Sequence, residues 1–226
     1  MIAVVVPTLD EARELPATLD HLAALSGEWE VVVVDGGSRD GTPALARAHA
    51  LAPAVVEAGG GRAAQLNAGA RAATGDPVVF LHADSRLPAG AHRALSRAAT
   101  NPNLVGGNFE LRFDGGDRFS AVLSAVYARQ RRLGFYYGDS SIWARRAAFG
   151  ALGGYRELPV MDDYDFVRRL EAHGPTACLP GPAMTSSRRW RAQGVARTML
   201  SWWVIRWLYV AGVSPGRLAG LYRQVR

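Results

Sequence analysis

The sequence predicts an α/β fold whose central sheet is mostly parallel and flanked by helices. Short apolar runs rich in β-branched residues alternate with helical patterns through the first hundred residues, and several of them end beside a carboxylate. These runs cover residues 2–6, 31–34, 54–56 and 77–81. Strands and helices that alternate at this spacing are joined by right-handed crossovers, and the strands they join are parallel.

Helical patterns fill the gaps between these runs. The first gap repeats leucine at a spacing of three or four residues, and Leu45 lies in the second. The third pattern follows a glycine run at residues 59–61. The apolar positions of the first and third patterns are Leu15, Leu19, Leu22, Leu25, Ala64, Leu66, Ala68 and Ala70. The first half therefore has the pattern of a nucleotide-binding α/β layer.

The rhythm changes after residue 100. Residues 105–113 and 140–144 predict strands, residues 119–133 predict a helix, and Asp162-Asp163 opens a helix that runs to about residue 172. We expect a mixed sheet here that completes one domain over residues 1–226. Its parts are a first half to residue 100, a second half at 101–191 and C-terminal helices at 192–226.

The C-terminal part predicts two helices separated by a break. Residues 192–211 are helical in pattern, and Ser214-Pro215 then resembles an N-cap followed by proline at the first helical position. Aromatic residues cover much of the first helix, at Trp202, Trp203, Trp207 and Tyr209. Three interpretations stay open, namely packing against the domain, an interfacial membrane helix and a homodimer face.

The basic residues of the chain restrict its class of binding partner only in part. All 26 basic residues are arginine, against 20 acidic residues, for a net charge of +6. This excess suits an anionic substrate, a nucleic acid or an anionic membrane, but codon bias explains it equally well. Aromatic residues do not alternate with the arginines as a stacking groove would need, so we expect no nucleic-acid partner.

The expected location is cytoplasmic. Cys178 is the only cysteine, which excludes an intrachain disulfide, and the N-terminus lacks the pattern of a signal peptide. The most apolar late stretch, residues 202–213, is interrupted by Arg206 and is shorter than the roughly 20 residues of a spanning helix. It is not predicted to cross a membrane.

Polar motifs follow the predicted strands, where open α/β sheets place their ligands. Asp35 ends the second strand beside glycines, Asp40 reads as a helix cap, and Asp84 follows the fourth strand. Arg62 follows the glycine run at the start of a helix, where free N–H groups and a fixed cation suit a phosphate. The spacing matches neither a Walker loop nor the dinucleotide fingerprint.

Four segments together resemble the family 2 glycosyltransferases of GT-A fold, which have a Rossmann-like sheet. They are residues 6–11 (VPTLDE), 35–38 (DGGS), 62–69 and His82-Ala83-Asp84. The resemblance extends over nearly the whole chain and implies a UDP-sugar donor, with Pro7, Thr8 and Glu11 around the nucleoside, Asp35 at the base and Arg62 near the base or phosphates. The substrate-binding residues that it implies in these segments are Pro7, Thr8, Leu9, Glu11, Asp35, Gly36, Arg62, Gln65, Asn67 and His82.

The same resemblance implies a metal ligand and a base. Asp84 occupies the last position of the family's Asp-x-Asp motif, which holds a divalent ion, Mg²⁺ or Mn²⁺, on the diphosphate, whereas His82 replaces the first Asp. Asp163 matches the general base of an inverting displacement, with Asp162 in place of the commoner Glu. Aspartates at a helix N-terminus also serve as caps and dipole partners, and Asp165 is predicted to be structural.

Later motifs resemble the small-transferase branch that includes the selenosugar synthases. Asp139 within Tyr137-Gly138-Asp139-Ser140 would face the acceptor, and Arg188, Arg189 and Trp190 would form a lid over the diphosphate. The acceptor implied is selenophosphate, with UDP-GlcNAc or UDP-glucose as donor, and any small anion or hydroxyl remains open. Two other interpretations are a peripheral membrane enzyme acting on a lipid phosphate and a non-catalytic nucleotide-sugar binding module.

Overall fold

The computed structural model describes residues 1–187 and 194–221. Seven strands form one sheet in the order β3-β2-β1-β4-β6-β5-β7. The strands are β1 (Ile2–Thr8), β2 (Trp29–Asp35), β3 (Ala54–Glu57), β4 (Val78–Phe80), β5 (Gly106–Phe113), β6 (Trp143–Ala144) and β7 (Thr176–Thr185). The prediction of a mostly parallel α/β sheet is confirmed, since β6 alone runs antiparallel to its neighbours β4 and β5.

Nine helices lie in the described part of the chain. They are α1 (Leu15–Ala24), α2 (Thr42–Ala48), α3 (Arg62–Ala72), α4 (Ala91–Ala99), α5 (Arg118–Arg132), α6 (Arg146–Ala151), α7 (Asp162–His173), α8 (Val195–Val210) and α9 (Pro215–Ala219). A short 3-10 turn, Gly138–Ser140, precedes β6. The two helices that the sequence pattern did not indicate, α4 and α6, are short and rich in alanine.

The inner strands β1, β2 and β4 are largely buried because helices cover both faces of the sheet. Alternate residues of β1 point to opposite faces, so Val4 packs with Leu19 and Leu95 of α1 and α4, and Val5 packs with Leu66 of α3. Helices α6 and α7 share the α3 face, and Phe166 of α7 is fully buried there. Two apolar cores, one on each side, thus hold the strand ends in place.

Glycine allows the closest approach between a helix and the sheet. A Cβ on Gly69 of α3 would lie 2.3 Å from Cγ1 of Val5 and 2.8 Å from Cγ2 of Val34. No side chain fits that gap, so α3 lies directly on β1 and β2. This contact fixes the height of the α3 N-terminus above the strand ends.

The second half differs from its sequence pattern at two strands. The predicted strand 140–144 shortens to Trp143–Ala144, because Ser141 has a positive φ of 52°. Strand β7 was not predicted, since Pro180, Gly181 and Pro182 resemble a break. It is an edge strand, and the pairing with β5 shifts register near the prolines, so their missing N–H groups cost no regular ladder bond.

Helix α8 presents its two faces to different surroundings. Trp202 and Tyr209 pack on an aromatic cluster with Tyr137 and Tyr164, and Ile205 is buried beside α9. The opposite face is exposed. Within the described residues, no helix has both the length and the apolar character needed to cross a bilayer.

Candidate active site

A cavity of about 700 Å³ opens over the carboxyl ends of β1, β2 and β4. Residues of the first half, the second half and α8 all contribute to its walls. They are Pro7, Thr8, Leu9, Glu11, Gly36, Gly60, Gly61, Arg62, Ala63, Gln65, His82, Ala83, Asp84, Tyr137, Asp139, residues 157–163, Thr185, Ser186, Trp202 and Ile205. The cavity therefore lies where an open α/β sheet binds its ligand.

Two loops that follow β1 and β2 are cross-linked at the cavity edge. The Asp10 amide donates to Ser38 Oγ, the Arg39 amide donates to Asp10 Oδ1, and both bonds are 2.9 Å long. Asp40 accepts hydrogen bonds from the Thr42 amide and from the Ala12 amide. Asp40 thus binds the first residue of α2, whose N-cap is Gly41, and also ties the two loops together, which stiffens the wall that contains Leu9 and Glu11.

Asp35 lies beneath this wall and does not line the cavity. Its carboxylate accepts hydrogen bonds from the Gly37 and Ser38 amides, both 2.9 Å, and from the Ser38 hydroxyl. Burial raises the pKa of Asp35, but these bonds outweigh it and lower the pKa below its usual value. The residue shapes the turn in this structure, and its contact with a nucleoside base stays a prediction.

Gln65 and Gly36 form the cavity floor together. The Gln65 amide nitrogen donates to the carbonyl oxygens of Thr8 and Val34, which joins α3 to the ends of β1 and β2. A Cβ on Gly36 would lie 2.8 Å from that nitrogen. A side chain at this position would have to displace the Gln65 amide from its hydrogen bonds.

Asn67 is a correction to the predicted site. Its side-chain nitrogen donates to the Tyr155 carbonyl oxygen, and its side-chain oxygen accepts from the Tyr155 amide, both at 2.8 Å. It lies on the far side of α3, in the wall of a separate cavity of about 310 Å³. Asn67 therefore holds the segment before α7 and does not line the candidate site.

Arg62 joins the two halves of the chain. Its Nε donates to Asp162 Oδ2 at 3.1 Å, and a second bond runs from Nη2 to Oδ1 of the same carboxylate. Nη2 also lies 3.6 Å from Asp163 Oδ2. Asp162 is 3% exposed, so this bidentate pair balances a buried charge and holds α7 against the N-terminus of α3.

Asp163 is the buried carboxylate at the centre of the site. Its Oδ2 accepts a hydrogen bond of 2.9 Å from the Gly138 amide. Burial raises the pKa of Asp163, the nearby Arg62 lowers it, and the charges of Asp162 and Asp139 raise it again, so that the net pKa is above its usual value. A carboxylate of raised pKa is a better proton acceptor than a solvated one.

His82 and Asp139 form a pair beside Asp163. Nδ1 of His82 lies 3.4 Å from Asp139 Oδ1. Burial lowers the pKa of His82, but the hydrogen bond and the charge of Asp139 outweigh burial and raise the net pKa. The backbone of Gly138 packs closely on the imidazole, since a Cβ there would lie 2.9 Å from Nε2. The replacement of the family's first Asp thus brings a histidine that is itself paired with a carboxylate.

Asp84 faces the cavity at the end of the segment after β4. Among the described residues there is no group of three or more His, Cys, Asp or Glu side chains placed to hold a metal ion. Mg²⁺ commonly takes one or two carboxylates and completes its shell with phosphate and water oxygens. The donor set around Asp84 therefore fits an ion that arrives with a diphosphate and does not fit a resident protein cage.

The remaining predicted residues divide into two groups. Asp165 is paired with Arg156 and Arg169 and does not line the cavity, in agreement with a structural role. Arg188, Arg189 and Trp190 lie outside the described residues.

Sequence reasoning missed part of the cavity wall. Glu157, Leu158, Pro159 and Val160 approach the site from the loop before α7, and Thr185 and Ser186 approach from the end of β7. Ile205 of α8 packs with Val160. The sequence around Pro159 has the character of a loop, which could have indicated residues 157–160 as part of a binding site. Thr185 and Ser186 follow a strand that was not predicted, and Ile205 belongs to a helix whose packing the sequence left open.

The sequence pattern of the family described as glycosyl transferase family 2 matches residues 3–155. The chain belongs to this family. A relative, the "PGL/p-HBAD biosynthesis glycosyltransferase" of Mycobacterium bovis strain BCG, is 31% identical in an alignment of 204 positions that covers 82% of this chain and 72% of the relative. The prediction of a family 2 glycosyltransferase is confirmed at the level of the family, while the selenosugar branch stays a prediction.

Solved structures agree on the fold. The mannosyltransferase PcManGT of Pyrobaculum calidifontis, solved with GDP-Man and Mn²⁺, is 26% identical with a TM-score of 0.62 over 82% of this chain. TarS 1-349 of S. aureus, solved with UDP-GlcNAc, is 16% identical with a TM-score of 0.68 over the same share. The chain spans 56% and 58% of the lengths of these two structures. The expected GT-A fold is thereby confirmed.

Proposed function

We propose that this glycosyltransferase moves a sugar from a UDP-sugar to an acceptor, with inversion at the anomeric carbon and with the help of a divalent metal ion. The observation that carries the proposal is the meeting of Asp84, Arg62 and Asp163 around one cavity. These residues supply a hard-metal ligand, a cation and a buried carboxylate of raised pKa, which are the groups that such a transfer needs.

The donor diphosphate would lie between the N-terminus of α3 and Asp84. Gly60 and Gly61 line the cavity with positive φ angles, so their backbone can approach a ligand closely. The N–H groups and dipole of α3 favour a phosphate there, and Arg62 adds a full charge. A divalent ion, Mg²⁺ or Mn²⁺, held by Asp84 would offset the charge that builds on the leaving diphosphate.

Asp163 is proposed as the base. The acceptor atom would attack the anomeric carbon on the side opposite the diphosphate, so one bond forms while the bond to the phosphate oxygen breaks and the configuration inverts. The acceptor's proton would pass to the Asp163 carboxylate, whose Gly138 contact fixes its direction. Asp163 lies beyond the family match at residues 3–155, so this assignment depends on the geometry of the site.

The specific acceptor that we propose is selenophosphate, which would form a carbon–selenium bond. It rests on the resemblance of the segment around Asp139 to the branch that includes selenosugar synthases. Selenophosphate is already ionised, so Asp163 would then orient the acceptor more than it deprotonates it. A hydroxyl acceptor would depend on Asp163 as a true base.

A lipid phosphate is the second candidate acceptor. The "Undecaprenyl-phosphate 4-deoxy-4-formamido-L-arabinose transferase" of Aeromonas hydrophila is 35% identical in an alignment of 98 positions that covers 39% of this chain and 30% of that relative. Because the match covers a small share of both chains, it supports testing lipid-phosphate acceptors but does not favour them over selenophosphate.

A mass-spectrometric screen tests these proposals directly. UDP-sugars would be offered with Mg²⁺ or Mn²⁺ and with selenophosphate, hydroxyl or polyprenyl-phosphate acceptors. We expect one glycosylated product, which Asp84→Ala abolishes and which the control Asp20→Asn, an exposed substitution away from the cavity, leaves unchanged. If no UDP-sugar is turned over under any of these conditions, the result would instead support a nucleotide-sugar binding module without catalysis.

Asp163→Asn separates the acceptor classes. For a hydroxyl acceptor we expect kcat to fall by about 10² to 10⁴, the usual contribution of a general base. For selenophosphate the loss should be only severalfold, because no proton has to be removed. Full activity with a hydroxyl acceptor would remove Asp163 from the role of base.

A further inference from the structure

An exposed apolar stripe runs along the outer face of α8. Leu200, Trp203, Trp207 and Val210 recur at the spacing of one helix face, and they are 63%, 59%, 50% and 57% exposed. Met199, at the edge of this stripe, is 39% exposed. Surface helices normally present polar residues outward, so an outer face of this kind marks a contact surface.

The surroundings of the stripe carry positive charge. The guanidinium of Arg206 lies 5.8 Å from the ring centre of Trp207 and 5.0 Å from that of Phe135, which places the end of α5 beside α8. Arg132 and Leu133 are exposed at that end. Arginine is the only charged residue type in residues 118–133 and in residues 174–226, and Glu171 of α7, which approaches Gly134, is paired with Arg131.

Charge selects the occupant of this surface. In a symmetric dimer, two copies of the same arginine-bordered stripe would face each other, and like charges would repel. An anionic bilayer attracts arginines at its surface, and tryptophan side chains are enriched at the boundary between headgroups and acyl chains. The inner face of α8 packs on the rest of the protein, so only its outer apolar stripe can enter that boundary, and the helix would then lie in the plane of the interface.

We propose that the apolar stripe of α8 and the arginines beside it dock this protein on an anionic lipid bilayer, with α8 in the plane of the interface. The inner face of the same helix supplies Trp202 and Ile205 to the cavity wall. Docking therefore brings the cavity within about 10 Å of the lipid, the diameter of one helix. The proposal goes beyond the transfer reaction and does not depend on which acceptor is used.

Vesicle co-sedimentation of the full chain tests the proposal. We expect binding to phosphatidylcholine vesicles that contain phosphatidylglycerol, weaker binding to phosphatidylcholine alone, and weakening by salt. Trp203→Ser with Trp207→Ser should lower the partition coefficient by about tenfold or more, because apolar burial in the interface is lost. Arg132→Gln should lower binding to the anionic vesicles alone.

Two matched controls should bind as the parent chain does. Leu45→Ser removes an exposed apolar residue on α2, and Arg93→Gln with Arg97→Gln removes two exposed charges on α4. Far-ultraviolet circular dichroism would verify that each variant is folded. Equal losses in the controls and in the tryptophan pair would overturn the proposal.

Two further outcomes would also overturn it. One is a parent chain that stays in the supernatant with anionic vesicles at low salt. The other is a dimer, measured by light scattering, that the tryptophan substitutions dissociate without any effect on vesicle binding. Donor turnover measured without vesicles keeps the transfer proposal separate, since either proposal can then fail without the other.

Discussion

Arg62 and the carboxylates around it set the electrostatics of the site. The guanidinium is held by Asp162, and Asp163 is buried with a pKa above its usual value. A bound diphosphate would compete with Asp162 for Arg62, since both are planar or tetrahedral oxyanions that a guanidinium binds through two N–H groups. Donor binding is therefore expected to change the charge that Asp163 experiences.

The pH dependence of activity should reveal Asp163. Only the ionised carboxylate accepts a proton, so the acidic limb of kcat/KM should lie above the ordinary Asp value of about 4. Asp139→Asn removes a nearby negative charge that raises the Asp163 pKa, so it should shift that limb to lower pH. The measurement is kcat/KM against pH for the parent chain, Asp139→Asn and the control Asp20→Asn.

Interpretation of that profile depends on the direction of the shift. His82 also loses its partner in Asp139→Asn, and its own pKa falls as a result. If overall activity drops while the acidic limb stays in place, Asp139 would act through its pairing with His82 and not through the pKa of Asp163. A limb that moves upward would contradict the electrostatic account of Asp163.

Asp35 should matter for stability at neutral pH. Its replacement by alanine leaves the Gly37 and Ser38 amides without their acceptor, and we expect the free energy of unfolding to fall by about 2 kcal/mol. Because the folded-state pKa is lowered, this contribution is present above the usual Asp pKa and is lost as the pH falls through the lowered value.

Urea unfolding checks this prediction. The difference between parent and Asp35→Ala should be largest near pH 7 and should shrink as the pH falls through the lowered pKa of Asp35. Asp20→Ala, an exposed substitution, should stay within about 0.5 kcal/mol of the parent chain. A difference that does not change with pH would show that Asp35 acts by shape and not by charge.

Helix α3 connects the sheet to the site through its N-terminal half. Gln65 binds the backbone at the ends of β1 and β2, Arg62 binds α7, and Asn67 binds the segment before α7. Gly69 lets the helix lie on Val5 without a gap. Small displacements of this one element would therefore move the floor and the cation of the cavity together.

Gly69→Ala tests how closely α3 must pack. The new methyl group would overlap Val5, and we expect a loss of about 1–3 kcal/mol in unfolding free energy, typical of overpacking. Gly150→Ala on α6 is the matched control, because its Cβ meets nothing within 4 Å. That control should be neutral or stabilising by up to about 1 kcal/mol, from its better helix propensity. Chemical denaturation measures both.

The cavity joins parts of the chain that are distant in sequence. Its walls include Pro7 near one end and Ile205 near the other, so a ligand in it contacts residues from both halves of the fold and from the C-terminal helices. A ligand that binds only the folded state stabilises the whole by mass action. Thermal unfolding is therefore a sensitive assay for the donor.

UDP with Mn²⁺ should raise the melting temperature. At a hundredfold excess over Kd, binding adds about 2.7 kcal/mol, which corresponds to a shift of about 5–10 °C for a chain of this size. The shift should disappear in Asp84→Ala, and Mn²⁺ alone should produce little of it. A full shift with UDP and no metal would remove Asp84 from the role proposed for it. Differential scanning fluorimetry measures all these combinations.

Local patterns determined much of this protein. Alternating apolar runs and helical repeats are set by side-chain periods of 2 and 3.6, so the strands of the first half and helices α1, α3, α5 and α7 could be predicted from sequence. Carboxylates at strand ends, such as Asp84, were found for the same reason. Tertiary structure alone decided three contacts, because strand order and helix packing bring their residues together. They are the bond from Arg62 to Asp162, the pairing of His82 with Asp139 and the bonds of Asn67 to Tyr155. Tertiary structure also decided that residues 176–185 form strand β7 and that Trp203 is exposed. Both depend on which neighbours pack against one sheet edge or one helix face, and no local sequence pattern specifies those neighbours.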